Sequence, residues 1–187
     1  MEILAPGSFA KDITRSSNRH NLKEMTSGAH DRAETRWFSR GKFTSRDSYL
    51  HWLEAMRSVH MSLGATAVRE AALTQYSSIE AKRINALSLD LGMPKSSLKI
   101  KVPAEVSAAW SWGALYALNG SSLGASILLK SQSVQSDWPN RYLQEMRYFA
   151  TSGALGEFFA ELDHLKLNRK EAARGANAVF SALAATE

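Results

Sequence analysis

The sequence predicts a single all-α domain, and three observations carry that prediction. Strand signals are nearly absent. The four prolines, Pro6, Pro94, Pro103 and Pro139, fall where helices could begin or end, and the segments between them space their apolar residues with the helical period. At 187 residues, 44% of them hydrophobic, the chain is long enough to bury one full core. The short alternation Leu98-Lys-Ile-Lys-Val102 is the one strand candidate, and a lone strand has nothing to pair with.

Residues 1–15 read as an irregular N-terminal arm and residues 16–187 as the helical domain. The first helix is expected from about Asn18 to Arg36, with Ser16 or Ser17 as its cap. Thr44-Ser-Arg-Asp47 then opens a long helix that runs to about Ala72. A third covers roughly Ser78 to Leu91 and stops at Gly92 and Pro94. Pro103 starts a fourth, which leads into a glycine-bearing stretch, Ala114 to Leu129, and ends near Ser133. Pro139 begins another, to about Ala150. The last two span about Gly153 to Leu165 and Asn168 to Ala184, the second opened by Asn168-Arg-Lys-Glu171, a capping box with asparagine in the Ser/Thr place. No internal repeat or low-complexity tract occurs.

Composition narrows the function classes. There is no cysteine, so disulfides and thiolate metal sites are excluded, and a reducing cytoplasm is the expected setting. No apolar run approaches the roughly 20 residues that span a bilayer. The N-terminal Met1-Glu-Ile-Leu-Ala-Pro lacks a basic region followed by an apolar one, and the C-terminal Ala-Ala-Thr-Glu187 is no hydrophobic anchor, so neither signal peptide nor membrane attachment is expected. The charge of +5 admits anionic ligands. Its densest basic stretch, Arg32, Arg36, Arg40, Lys42 and Arg46, is broken by acids and aromatics and reads as a solvated face, not a nucleic-acid footprint. Phosphate-loop, serine-hydrolase and zincin motifs are all missing.

Two segments carry candidate chemistry. Gly120 and Gly124 lie four apart within a helical pattern, with Gly113 on the same stripe, although each interior glycine costs about 1 kcal/mol relative to alanine. Either another helix packs closely there, or something flat approaches the backbone. The second segment is Leu22-Lys-Glu-Met-Thr-Ser-Gly-Ala-His-Asp-Arg-Ala-Glu34. Lys23, His30 and Glu34, seven and four apart, fall within a narrow arc of one helix face, which also carries Ser27, Ala33 and Trp37. Alone, such a histidine is more often packed or solvated than ligating. A carboxylate one turn on suits an oriented imidazole ligand, and a lysine two turns earlier suits an anionic group on whatever is bound.

These residues carry a family resemblance. The pattern Leu22-Lys-Glu-Met-Thr-x-x-Ala-His-x-x-Ala-Glu34 resembles the proximal helix of heme oxygenases, and Phe43-Thr-Ser-Arg-Asp-Ser-Tyr49 fits the opening of the next helix. Arg83-Ile-Asn-Ala-Leu-Ser-Leu-Asp-Leu91 and Gly113-Ala-Leu-Tyr-Ala-Leu-Asn-Gly-Ser-Ser-Leu-Gly124 are similar to two elements of the compact bacterial, bacteriophytochrome-associated members, the second being their distal helix. The four matches occur in the family's order over about residues 22–130.

The resemblance implies a helical bundle with heme sandwiched between a proximal and a distal helix. It implies His30 as axial iron ligand, Lys23 as a propionate contact, Glu34 beside the ligand, and Tyr116, Gly120, Ser121 and Gly124 on the distal face. The implied activity opens heme, which is substrate and cofactor at once, to biliverdin, carbon monoxide and ferrous iron. It uses dioxygen and electrons from an external ferredoxin or reductase, with delivery of biliverdin to a phytochrome as one outlet. The alternative is a heme or tetrapyrrole carrier or sensor on the same scaffold. Three departures motivate it: Ala125 stands in place of the pattern's last glycine, Asn119 replaces an acid, and Gly156-Glu-Phe-Phe-Ala-Glu161 offers no arginine for the propionates.

Other signals are weaker. Glu161-Leu-Asp-His164 has di-iron spacing but no second such pair. Asp47 and His51 have i, i+4 metal spacing at what reads as a helix start. His20 and His60 show no obvious partner in the sequence, and Trp112 and Tyr116 lie on or near the glycine face.

Overall fold

The computed structural model describes residues 17–38, 43–70, 74–92, 99–130 and 134–185, and its regular structure is helical throughout. In chain order the helices are α1 (Asn18–Trp37), α2 (Arg46–Val59), a π-helical segment (His60–Gly64), α3 (Ala65–Glu70), α4 (Thr74–Leu91), α5 (Ala108–Lys130), α6 (Arg141–Thr151), α7 (Ala154–His164) and α8 (Arg169–Ala184). No strand occurs among the described residues, and 99–102 of the alternating segment are irregular. The expected arm at 1–15 lies outside the described residues.

Side-chain caps set most of the boundaries. Ser17 Oγ accepts the His20 N–H at 3.2 Å and starts α1. Ser45 and Ser48 cap reciprocally at the start of α2. Asn168 accepts from the Lys170 and Glu171 amides, as the capping sequence predicts, while the Glu171 carboxylate takes Arg174 at 2.7 Å. Gly92, at φ +68°, occupies the left-handed position that ends α4.

Three expectations need correction. Pro103 does not start a helix: residues 103–107 are irregular, and Ser107 Oγ accepts the Trp110 N–H at 3.1 Å, so α5 begins only at Ala108. Helix α4 begins at Thr74 instead of Ser78. The long helix expected from Thr44 to Ala72 is divided at His60–Gly64, where the Ala65 N–H reaches the His60 carbonyl and the turn widens.

Helix α5 is the central element and packs against α8, α6 and α3. Its crossing with α8 is set by two glycines. A Cβ on Gly113 would be driven into the Ala172 carbonyl, and one on Gly175 into the Trp110 carbonyl, so the two backbones touch. Helix α8 also packs along α1, where Trp37 Nε1 donates to the Leu183 carbonyl at 2.9 Å. Asp90, at the end of α4, accepts the Arg141 and Tyr142 amides at 3.0 and 2.8 Å. It thereby caps α6 from a neighbouring helix, and burial raises its carboxyl above the ordinary value despite those two bonds.

Candidate functional site

A cleft of about 720 Å³ lies between α1 and the downstream half of α5, with α8, α6 and α2 closing its depth. That volume lies within the roughly 300–1,000 Å³ range of small-molecule sites. The cleft brings together Lys23, His30 and Glu34 on α1, and Tyr116, Gly120, Ser121 and Gly124 on α5, but not Trp112. Ser27, Ala33 and Trp37 line it as well. Elsewhere, a hollow of about 210 Å³ beside Thr44, Ser48 and His51 is too small for such a ligand.

The glycine stripe divides in two. Gly113 is consumed by close helix packing, whereas a Cβ built on Gly120 or on Gly124 meets nothing within 4 Å. Packing therefore accounts for the first glycine and not for the other two, which present bare backbone to the cleft. Leu123 and Ile127, on the same stretch, are 47% and 65% exposed and also line the opening.

Across from them, the His30 side chain is half exposed and meets Phe180 edge-on, with ring centroids 5.3 Å apart. Its Nδ1 lies 3.8 Å from Asp31 and 3.9 Å from Glu34, beyond direct hydrogen bonding but within reach of a bridging water. That leaves Nε2 as the nitrogen for an incoming ligand. The three donor atoms of His30, Asp31 and Glu34 all lie within 4.8 Å of one another.

The lining is polar at one end and apolar at the other. Trp52, Met56, Met146, Phe180 and Leu183 form the deep side, while Arg19, His20 and Lys23 lie along the first turns of α1. Sequence reasoning missed Arg19, one turn before Lys23; the spacing rule that grouped Lys23 with His30 would have found it. Its guanidinium lies 4.2 Å over the Phe159 ring, and its charge partly offsets the burial that raises the Tyr116 hydroxyl's pKa.

The other signals resolve structurally. His20 pairs with Glu24 at 3.1 Å. Trp112 does not reach the cleft but stacks on Phe158 at 5.6 Å. Glu161 accepts the Tyr76 hydroxyl at 2.7 Å and His164 Nδ1 meets the Ala160 carbonyl at 2.6 Å, so the di-iron spacing serves packing. His60 is wholly buried and bonded through both ring nitrogens, to Glu80 and to Tyr142.

Among the described residues the fold is all-helical, and its cleft is lined by apolar side chains with Arg19, His20 and Lys23 along the first turns of α1. Comparison with known proteins finds a full-length similarity. The chain is 28% identical over 193 aligned residues, covering 97% of it, to "Heme oxygenase PigA" of Pseudomonas aeruginosa, of which the match spans 94%. No protein-family model matches the sequence. Among the described residues, no helix is long and apolar enough to cross a membrane.

Proposed function

We propose that this chain binds heme in the α1–α5 cleft, with His30 as the axial ligand, and opens it to biliverdin, carbon monoxide and ferrous iron. The observation that carries the reading is the open backbone at Gly120 and Gly124 facing a histidine on the opposite wall. A macrocycle can lie flat against α5 only where Cβ atoms are missing, and the pattern clears that surface at those two positions while filling Gly113 with α8. Heme, when bound, supplies the redox iron and is itself the molecule oxidised.

The chain's own residues have distinct tasks. His30 offers Nε2, with Glu34 and Asp31 beside Nδ1 to fix the ring. Arg19 and Lys23 meet the propionates at the edge of the cleft, taking the place of the arginine missing near residues 156–161. The deep apolar wall excludes water from the far edge of the ring. Gly120, Ser121 and Gly124 border the distal side, where dioxygen would be held.

Dioxygen and an external donor, a ferredoxin or a reductase, complete the reaction in the cytoplasm, and a phytochrome is one acceptor for the biliverdin. The full-length similarity to a heme oxygenase supports the chemistry. The test is to add hemin and a reductant under air and follow the Soret band. Its loss with appearance of biliverdin supports turnover. A stable Soret band on a protein that binds hemin would instead establish the carrier or sensor reading, and failure to bind hemin would refute both.

A further inference from the structure

A line of aromatic rings leads out of the cleft, and holding heme does not require it. Tyr116 and Phe159 both line the cleft, with ring centroids 6.2 Å apart. Phe159 meets Phe158 at 5.6 Å, Phe158 stacks on Trp112 at 5.6 Å, and Trp112 meets Tyr76 edge-on at 6.2 Å. All of these separations fall within the roughly 4.5–7 Å of interacting aromatic pairs. Trp112 and Tyr116 are one turn apart on α5 and share a helix face. The oxidisable rings Tyr116, Trp112 and Tyr76 therefore follow one another, with phenylalanines packed between them.

The last ring ends on a base. The Tyr76 O–H donates to the Glu161 carboxylate at 2.7 Å, and the Gln75 amide donates to the other carboxylate oxygen at 3.3 Å. Glu161 is partly exposed and Gln75 exposed, so the line reaches solvent here. One-electron oxidation makes a phenol strongly acidic, and its radical settles where a neighbouring base takes the proton. Other rings at the cleft lack that combination. Trp52 stacks on Tyr49 at 6.0 Å, and Tyr49 on Trp138 at 5.3 Å, but the Tyr49 hydroxyl donates to the Pro139 carbonyl, which is no base. Tyr142 has the His60 ring as its partner, and both are enclosed beyond the reach of a dissolved reductant.

We propose that Tyr116, Trp112 and Tyr76 form a discharge route for oxidising equivalents: when peroxide reacts in the cleft, an electron travels inward from Tyr76 and Glu161 takes the proton. This goes beyond heme opening but rests on heme binding, since bound heme is what makes peroxide a strong oxidant there. Without the outlet, the oxidation would fall on the cleft's own lining, where Met56 and Met146 are the susceptible side chains.

The electrons and protons balance. Hydrogen peroxide accepts two electrons and two protons and leaves as two waters. Each electron comes from Tyr76, whose O–H bond breaks; the electron passes through Trp112 and Tyr116, the proton goes to Glu161, and a phenoxyl radical remains. A one-electron donor of the ascorbate class then returns a hydrogen atom to the phenoxyl oxygen. Glu161 gives its proton to solvent, replacing the one consumed in the cleft. Two rounds reduce one peroxide and turn two ascorbate monoanions into two ascorbyl radical anions, with every side chain restored.

The experiment mixes the hemin-loaded full-length chain with hydrogen peroxide, freezes it within milliseconds and reads it by electron paramagnetic resonance, using ring-deuterated tyrosine to identify phenoxyl signals. Wild type should show a tyrosyl radical that ascorbate removes. Its yield should fall about tenfold in Tyr76→Phe and in Trp112→Phe, both of which keep a ring in the stack. Glu161→Gln, which keeps an acceptor but no base, should lower it likewise and serves if an aromatic variant does not fold. Peptide mass spectrometry should find more sulfoxide at Met56 and Met146 in Tyr76→Phe than in wild type. A signal unchanged in these variants, or one that disappears instead in Tyr142→Phe or Tyr49→Phe, overturns the route. A second arm needs no heme: azide radicals from pulse radiolysis oxidise tryptophan in the heme-free chain, and the indolyl radical is followed as it converts to phenoxyl. One first-order phase should be lost in both Tyr76→Phe and Trp112→Phe, and retention of every phase overturns the Trp112–Tyr76 step. Hemin titration is read separately, so failure to bind hemin refutes the functional reading while the radiolysis still decides that step.

Discussion

Replacing each glycine of α5 by alanine separates the two roles assigned along one stripe. At Gly120 and Gly124 the added methyl meets nothing within 4 Å, so the apo-protein has nothing to repack. Helix propensity then favours alanine by up to about 1 kcal/mol. For a domain of this size that corresponds to a rise of about 2–4 °C in apo melting temperature. At Gly113 the methyl would lie 2.5 Å from the Ala172 carbonyl carbon and 2.8 Å from its Cα, contacts that α8 can relieve only by moving bodily. Overpacking of that kind costs about 1–3 kcal/mol, so the same assay should show a fall of about 2–12 °C. Hemin titration should order the variants the other way. Gly120→Ala and Gly124→Ala should weaken hemin binding about tenfold or change the product yield or site of ring opening. The folded fraction of Gly113→Ala should bind hemin normally. Gly120→Ala and Gly124→Ala proteins that melt low and bind hemin like wild type would refute the heme-facing assignment.

Three further outcomes are expected. His30→Ala should abolish the histidine-ligated hemin spectrum and regain it with added imidazole; an unchanged spectrum would transfer ligation to another histidine. Arg19→Ala and Lys23→Ala should each weaken hemin binding by about three- to tenfold, with an effect that shrinks at high salt, as expected for charges in partial contact with solvent. Burial pushes the Glu80 carboxyl up, but His60 and Arg83 outweigh it and leave it below its ordinary 4.5. Its contribution to stability is therefore complete above about pH 4.5 and is lost as pH falls through the folded-state value. Thermal melts should show wild type losing stability on acidification below that point. Glu80→Gln should be less stable by about 3–5 kcal/mol at neutral pH but flatter in the acid range.

Much of this arrangement was legible in the sequence because it depends on short spacings. Four- and seven-residue intervals put Lys23, His30 and Glu34 on one face of α1, and Gly120 and Gly124 on one face of α5. What the spacing could not say is which side of a glycine stripe meets another backbone, because Ala172 is remote in sequence from Gly113. The partners of His60 lie 20 and 82 residues away, so a histidine without local company became the centre of a buried network. The π-helical turn was hidden for a different reason. His60-Met-Ser-Leu-Gly64 continues the apolar rhythm, and the Glu80 carboxylate that lies against Gly64 arrives from α4, remote in sequence. Asp90 and Leu91 show the intermediate case: the motif was visible, but its work, capping α6 and fixing Tyr142, required the fold.

The Gly113–Gly175 crossing bears on how the cleft could open. Because the upstream half of α5 is held backbone to backbone against α8, it is the anchored end of the helix, whereas the stretch from Gly120 onward is held only on the face that carries Ser122, Ala125 and Leu128. Helix α8 also carries Phe180 against His30 and Leu183 against Trp37, so the same rigid support braces the opposite wall. The gap between the walls is therefore gauged by one helix that contributes little to the chemistry. Bending that stretch would change the width of the cleft while His30 stays in register with α8 through Phe180. A ligand entering between the walls would pass Leu123 and Ile127, the exposed side chains of that stretch.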